Sequence, residues 1–184
     1  GKNATIGMDG VLEMVPFYKK GGFRQSHLNV RFQGIAHPAP PSGCLGLSEV
    51  APEKVLAMDL GCFGSDRAGF VSAWLDRPGV IALALVEDGA LAGFGVARPC
   101  KIGYKIGPLY ARTPETAARI LNDLSSRMSG HQVQIDVPDQ NHSAGAIFEN
   151  MGWTPVFRCA RLYLGPAPQA DLSATYGVAS LEFG

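Results

Sequence analysis

Apolar positions repeat with helical spacing at Ala117, Ile120, Leu121, Leu124 and Met128, which predicts an amphipathic helix over 113–128. Thr113 is placed to cap it, Pro114 suits its first turn, and Gly130 closes it. The run Val80 to Val86 is continuously apolar, Glu87-Asp88-Gly89 reads as a hairpin turn, and Leu91 to Ala97 as the returning strand. Tyr104 to Ala111 predicts a third strand. Gly107-Pro108 inside it implies a bulge or a splayed position, because proline cannot donate to the ladder. Two helices are expected before the hairpin, one opening at Pro52 and one over Asp66 to Leu75. A strand over Val133 to Val137, a helix over Asn141 to Met151 and a long strand over Val156 to Leu164 follow the amphipathic helix.

The first 34 residues carry a shorter pattern of the same kind. Residues 12–20 read as a helix ended by Gly21-Gly22, and Phe23 opens a strand in which Leu28, Val30 and Phe32 alternate with Asn29, Arg31 and Gln33, as in a strand buried on one face. Ile35 to Pro52 holds four prolines and reads as a linker. The segment from Gly165 onward bears prolines and then turns extended, and is expected to add a strand at a sheet edge. Tyr18, Gly22, Phe23 and Arg31 recur as Phe148, Gly152, Trp153 and Arg161, each pair 130 residues apart, and a fixed offset of this kind points to duplication. The first copy has no room for a whole domain before it, so the chain, which opens at Gly1 and not Met, is expected to begin mid-domain.

Composition narrows the partners. Sixteen basic residues balance sixteen acidic ones, so no net field draws the chain to nucleic acid or an anionic membrane. No apolar run is long enough to span a bilayer and the N-terminus lacks signal-peptide order, which reads as a cytoplasmic protein. The four cysteines and four histidines lack metal-ligand spacing, so neither a disulfide framework nor a metal site is expected.

The order helix, helix, strand, strand, strand, helix, strand, helix, strand, with Asn141, Ala144, Phe148, Gly152 and Trp153 in its last helix block, resembles the GNAT N-acetyltransferase superfamily. The likeness runs from Pro52 to Gly165 and implies an α/β (α+β) fold, a mixed central sheet with flanking helices. It is nearest to bacterial proteins with two tandem GNAT-like halves, whose second half carries a segment like Ile106 to Tyr110 and a tail like Tyr176-Gly177 with Leu181 to Gly184. On this reading residues 1–34 are the helix-strand end of a first unit, 35–52 a linker, 53–165 a degenerate second unit and 166–184 an extension with an added strand.

The resemblance also implies a chemistry: transfer of an acetyl group from acetyl-CoA to the amine of a small molecule or peptide. In the family the coenzyme lies in a V-shaped opening between two parallel strands, with its pyrophosphate on the N-terminus of the central helix. Converging backbone N–H groups and the helix dipole favour an anion there. The matching loop is Arg112 to Ala117, and the resemblance implies Tyr110, Arg112, Thr113, Thr116, Ala117 and Asn141 as the coenzyme-binding set. Glu115 replaces the family's glycine and Pro114 removes an N–H, so the loop reads equally as a plain helix start. The family's general acid is a tyrosine in the last helix, which protonates the departing thiolate. The first copy keeps it as Tyr18 and the second has Phe148, so Tyr18 is the expected catalytic residue or, alternatively, a tyrosine packed at a helix end. The competing function is a non-catalytic GNAT-like module for dimerisation or substrate binding, and a homodimer formed by edge completion fits either case.

Overall fold

The computed structural model describes residues 4–183. Its strands are β1 (Ile6–Val11), β2 (Arg24–Ile35), β3 (Leu45–Gly46), β4 (Ile81–Glu87), β5 (Ala90–Pro99), β6 (Tyr104–Ala111), β7 (Gln132–Pro138), β8 (Thr154–Leu164) and β9 (Thr175–Gly177). Its helices are α1 (Val15–Lys20), α2 (Pro52–Phe63), α3 (Ala68–Leu75), α4 (Pro114–Arg127) and α5 (His142–Asn150). The strands form one mixed sheet in the order β1-β8-β2-β7-β6-β5-β4-β3, with β9 paired to β6 off this path. Only β6 and β7 run parallel among the paired strands.

Each face of the sheet has its own core, because successive strand residues point to opposite sides. On one face the predicted stripe of α4 packs with Ile106, Leu109 and Ile135, and Phe148 of α5 lies between Phe32 and Trp153. On the other face α2 and α3 bring Val55, Cys62, Val71 and Trp74 against Phe94, Val96 and Tyr110. The bulge expected at Gly107-Pro108 is present, as the β5–β6 register shifts between Gly95 and Ala97. Trp74 Nε1 donates to the Gly107 carbonyl at 2.9 Å and ties α3 to it.

Several elements depart from the sequence pattern. β1 carries no readable apolar alternation, with glycine at positions 7 and 10, and forms because β8 supplies a partner along its whole length. β2 is not buried on one face only. It sits between β7 and β8, and Asn29 on its polar side is as buried as Phe32 on the other. The proline-rich segment is not slack: it contains β3 and a 3-10 turn over Leu47–Glu49, and Asp123 of α4 accepts from the amides of Ser42 and Cys44 at 2.7 and 3.0 Å. The C-terminal strand is not at an edge. β9 lies inside the sheet, in the gap that opens between β6 and β7.

A local two-fold axis relates α1–β2 to α5–β8. β2 and β8 pair antiparallel with Asn29 opposite Cys159, residues that are themselves 130 apart. The two bulges of this ladder obey the same relation, since the unpaired residues are Ser26 on β2 and Val156 on β8. β1 on β8 then answers to β7 on β2, and the register places Asp9 opposite Arg161 as it places Asp136 opposite Arg31.

Candidate functional site

The crevice of an open α/β sheet forms where neighbouring strands part. β6 and β7 pair only through Tyr104–Ile106 and Val133–Ile135, and beyond that point they diverge over the N-terminus of α4. The chain fills this opening itself. β9 pairs with β6 at Leu109↔Gly177 and Tyr110↔Thr175, Ala111 N donates to Ala174 O at 3.0 Å, and Val178 N donates to Asp136 O on β7 at 2.9 Å. The tail therefore hydrogen-bonds to both walls. Thr175, Tyr176, Val178, Ala179 and Ser180 are buried, so the segment is part of the core. Gly107 lies against the Val178 and Ala179 carbonyls so closely that a Cβ there would collide with them.

Asn141 holds this arrangement. Its Oδ1 accepts from Ala144 N at 3.0 Å and caps α5, while its Nδ2 donates to the carbonyls of Ser173 and Thr175 at 3.0 and 3.1 Å. Asp171 braces the approach, accepting from the amides of Ser173 and Ala174 and donating its own N–H to Gly61 O. Asn141, expected to face a coenzyme, instead grips the strand that lies in the crevice.

The remaining loop residues are equally committed. Thr113 caps α4, its Oγ1 accepting from Thr116 N at 3.2 Å, which uses the Thr116 N–H offered to a phosphate. Pro114 has no N–H, and Glu115 puts a carboxylate in the first turn. Ala117 is buried on the core-facing side of α4, and Arg112 is exposed with its backbone N–H on Ala92 O at 2.9 Å. Tyr110 points to the opposite core, where its hydroxyl accepts from Arg67 Nη2 at 3.0 Å and burial pushes its phenol far above the ordinary value. Arg67 in turn forms a forked ion pair with Asp59 at 2.8 Å. The resident groups thus do not fit a coenzyme pyrophosphate.

Tyr18 lies elsewhere. Its ring packs on Gly10 of β1 and edge-on against Phe17 and Phe23, with three strands between β1 and β6. The structure does not bring it together with the Arg112–Ala117 loop. At the matching place Phe148 is 0% exposed, whereas α1 has no buried residue and Phe17 beside Tyr18 is 64% exposed.

A polar band lies on the sheet face opposite α5, and the pairings within it are what the sequence did not show. Asp136 is bound by both Arg31 and Lys105, and Asp9 by Arg161 and Asn29. His27 shares this band, and burial lowers its pKa below 6.5 against the pull of Asp9. The repeat had marked both arginines but carried no sign of their acids. No group of three or more His, Cys, Asp or Glu side chains suited to a metal occurs among the described residues. No described helix is long and apolar enough to cross a membrane.

Comparison with known proteins places this geometry. A family model described as an acetyltransferase (GNAT) domain matches residues 55–177. The chain is 28% identical over 184 residues to a holothin acyltransferase from Pseudoalteromonas sp. (strain SANK 73390), covering 98% of this chain and 62% of that protein. It is 25% identical over 158 residues to the uncharacterized N-acetyltransferase YitH of Bacillus subtilis (strain 168), covering 83% of this chain and 55% of that protein. It thus spans less than two thirds of the length of either. A crystal structure from Pyrococcus horikoshii, assigned as an acetyltransferase, superposes with a TM-score of 0.81 at 26% identity, over 97% of this chain and 59% of that one. With the family model matching well over half of its residues and the same sheet and helices in the structural neighbour, the chain belongs to the GNAT acetyltransferase family.

Proposed function

We propose that this chain is part of an acyltransferase that moves the acetyl group of acetyl-CoA to an amine of a small molecule or peptide in the cytoplasm. We further propose that the coenzyme is held on the α1 side of the molecule, outside residues 53–184. The observation that carries this reading is the occupied crevice: β9 pairs along β6 and reaches β7, leaving no open strand edge for a second ligand there. The loop residues point the same way, since a carboxylate at Glu115 repels a pyrophosphate and Pro114 withholds an N–H. The first copy has the opposite character. Tyr18 keeps the hydroxyl that Phe148 lacks; in the proposed reaction the neutral amine bonds to the acyl carbon as the C–S bond breaks, the Tyr18 O–H protonates the departing thiolate, and the proton shed by the amine nitrogen restores the phenol through solvent. Residues 1–34 then serve as the helix-strand end of a first GNAT unit, residues 35–52 link the two, and the second unit holds the first in place. An acyltransferase name on one relative agrees with this direction.

The test is calorimetric titration of the 184-residue chain with acetyl-CoA. No binding is expected at micromolar to millimolar coenzyme, and micromolar affinity would overturn the assignment of the coenzyme to the α1 side. A polypeptide extended on its N-terminal side to the length of the relatives is expected to bind at micromolar concentration and to release thiol with an amine acceptor. The free edge of β1 and the exposed apolar side chains of Val11, Leu12, Met14 and Phe17, which run from the end of β1 into α1, favour an added unit there. A homodimer through the same edge is the competing outcome, read by sedimentation of the chain alone.

A further inference from the structure

The shortness of β3 leaves a groove at its end of the sheet. β3 pairs with β4 only at Leu45↔Ala84 and Gly46↔Leu83, so among the described residues β4 has no neighbour on that side along Ile81 and Ala82. After Gly46 the chain turns through the 3-10 segment Leu47–Glu49 and enters α2 at Pro52. On α3, Trp74 turns into the core, while Ala68, Ser72 and Asp76, each four residues apart, form a row along one side of the helix. The small side chains of that row leave space between the two helices and the sheet. The resulting cavity of about 760 Å³ is lined by the row, by Val55 and Leu56 of α2, and by Val80 and Ala82, and its size suits a small molecule. Its lining is apolar except for Ser48, Ser72 and Asp76. The side-chain oxygens of these three make no hydrogen bond or ion pair among the described residues. Asp76 is the one charged group in the lining, and Arg77, next in the chain, is turned away to Trp74, its guanidinium carbon 5.0 Å from the ring centre.

We propose that this groove binds a primary alkylammonium ion, its chain lying along the Ala68–Ser72–Asp76 row and its charged head at Asp76. Charge selects the head. The lining carries one carboxylate and no cation, so an ammonium is attracted and a carboxylate repelled. The three donors of an ammonium suit the Asp76 carboxylate and the Ser72 hydroxyl one turn before it. Both residues are exposed, so the head keeps its remaining water while the methylenes bury against Val55, Val71 and Val80. Length selects the tail. From Ala68 to Asp76 the row runs about 12 Å at 1.5 Å per residue, the reach of a stretched chain of about eight carbons. The groove stands at the β3 end of the strand order, whereas Tyr18 packs on β1 at the other end, so this site does not rest on the proposed acyl transfer.

The experiment is an NMR titration of the 184-residue chain with n-octylammonium chloride, with n-octanol and sodium octanoate as controls. The probes are the backbone amides of Ser72 and Asp76 and the methyl groups of Val55 and Val71. Saturable shifts at these probes are expected with n-octylammonium, at an affinity about tenfold above that of octanoate. Asp76→Asn should weaken n-octylammonium about threefold, the scale of an exposed ion pair, and leave n-octanol unchanged. Ser72→Leu fills the groove from the α3 row with a good helix former and should weaken all three ligands at least about tenfold, with the amide spectrum verifying that each variant is folded. No saturable shift, octanoate bound as tightly as n-octylammonium, or n-octylammonium affinity unchanged in either variant overturns the site. Shifts of the same probes on dilution of the ligand-free chain also overturn it and give the groove to a second copy.

Discussion

Asn141→Ala tests whether the C-terminal strand is built into the crevice. The side chain is 5% exposed and makes three hydrogen bonds, one capping α5 and two to the tail. Loss of an asparagine cap costs about 1 kcal/mol. Leaving the Ser173 and Thr175 carbonyls without a donor in a buried setting adds about 2 kcal/mol. The sum of about 3 kcal/mol, at a urea dependence near 2 kcal/mol/M, moves the unfolding midpoint down by roughly 1.5 M. Asn141→Asp separates the two parts, since a carboxylate oxygen still caps α5 but cannot donate to either carbonyl. That variant should lose about 2 kcal/mol. Amide exchange should accelerate by roughly 30-fold at Val178, which bonds β7, and at Ala111, which bonds Ala174. The reasoning is refuted if Asn141→Asp unfolds at the parent's urea concentration and both amides keep their protection. In that case the tail would be held by something other than Asn141.

Phe148→Tyr places a hydroxyl where Phe32 and Trp153 rings close in at 5.6 and 5.5 Å, and should cost about 1–3 kcal/mol in urea unfolding, whereas Tyr18→Phe should change stability by less than about 0.5 kcal/mol. In the extended polypeptide Tyr18→Phe is expected to lower kcat at least about 100-fold with little change in KM for acetyl-CoA. Burial holds the folded-state pKa of His27 below its unfolded value of 6.5, so the unfolded state binds the extra proton. The stability His27 contributes is whole above pH 6.5 and is lost as pH falls toward the folded value; His27→Phe, which copies Phe157 at the matching place, should flatten thermal stability across that window. Burial pushes the Cys44, Cys62 and Cys159 thiols up to about 12, so at pH 8 iodoacetamide should label exposed Cys100 first and the other three only on unfolding, as mass spectrometry would show. A fragment starting at residue 36 lacks the strand between β7 and β8 and should fail to give a soluble, cooperatively melting monomer.

Much of the second unit was legible because local signals decide it. The α4 stripe, its Thr113 cap and the turn at Glu87-Asp88-Gly89 each follow from a few neighbouring residues, and all appear where the pattern places them. β1 was illegible because glycine and aspartate at 7, 9 and 10 carry no apolar alternation, and the strand exists through its ladder to β8, more than a hundred residues away. The tail was misplaced for a related reason. An extended stretch such as Tyr176 to Phe183 reads the same whether it lies on an edge or inside a sheet, and only the divergence of β6 from β7 creates the interior position. Asn141 was found as a motif residue but given the wrong task, since nothing in its neighbours shows that Ser173 and Thr175 will face it. The acids that pair with Arg31 and Arg161 lie 105 and 152 residues away in the chain, beyond any local rule.

The boundary drawn in the sequence near residue 35 does not divide the sheet. β2 precedes it, yet β2 takes both of its neighbours, β7 and β8, from the far side, and β8 takes β1 in exchange. Each arginine of the repeat then finds its acid on the other side of that boundary. Arg31 reaches Asp136 and Arg161 reaches Asp9. Breaking a buried pair of this kind by removing one partner costs about 3–5 kcal/mol, because the survivor keeps its charge without water or a counterion. A one-residue slip of β2 against β7, or of β8 against β1, would incur that penalty at the pair it carries, since every side chain of the slipped strand would turn to the opposite face. The reciprocal pairs therefore fix the register of β2 against β7 and of β8 against β1. Because α1 leads directly into β2 and β1 pairs on β8, the ladder between β2 and β8 sets where Tyr18 stands over β1. On the proposed reading, residues 53–165 thus govern the position of the general acid through the strand exchange, without lending a residue to its chemistry.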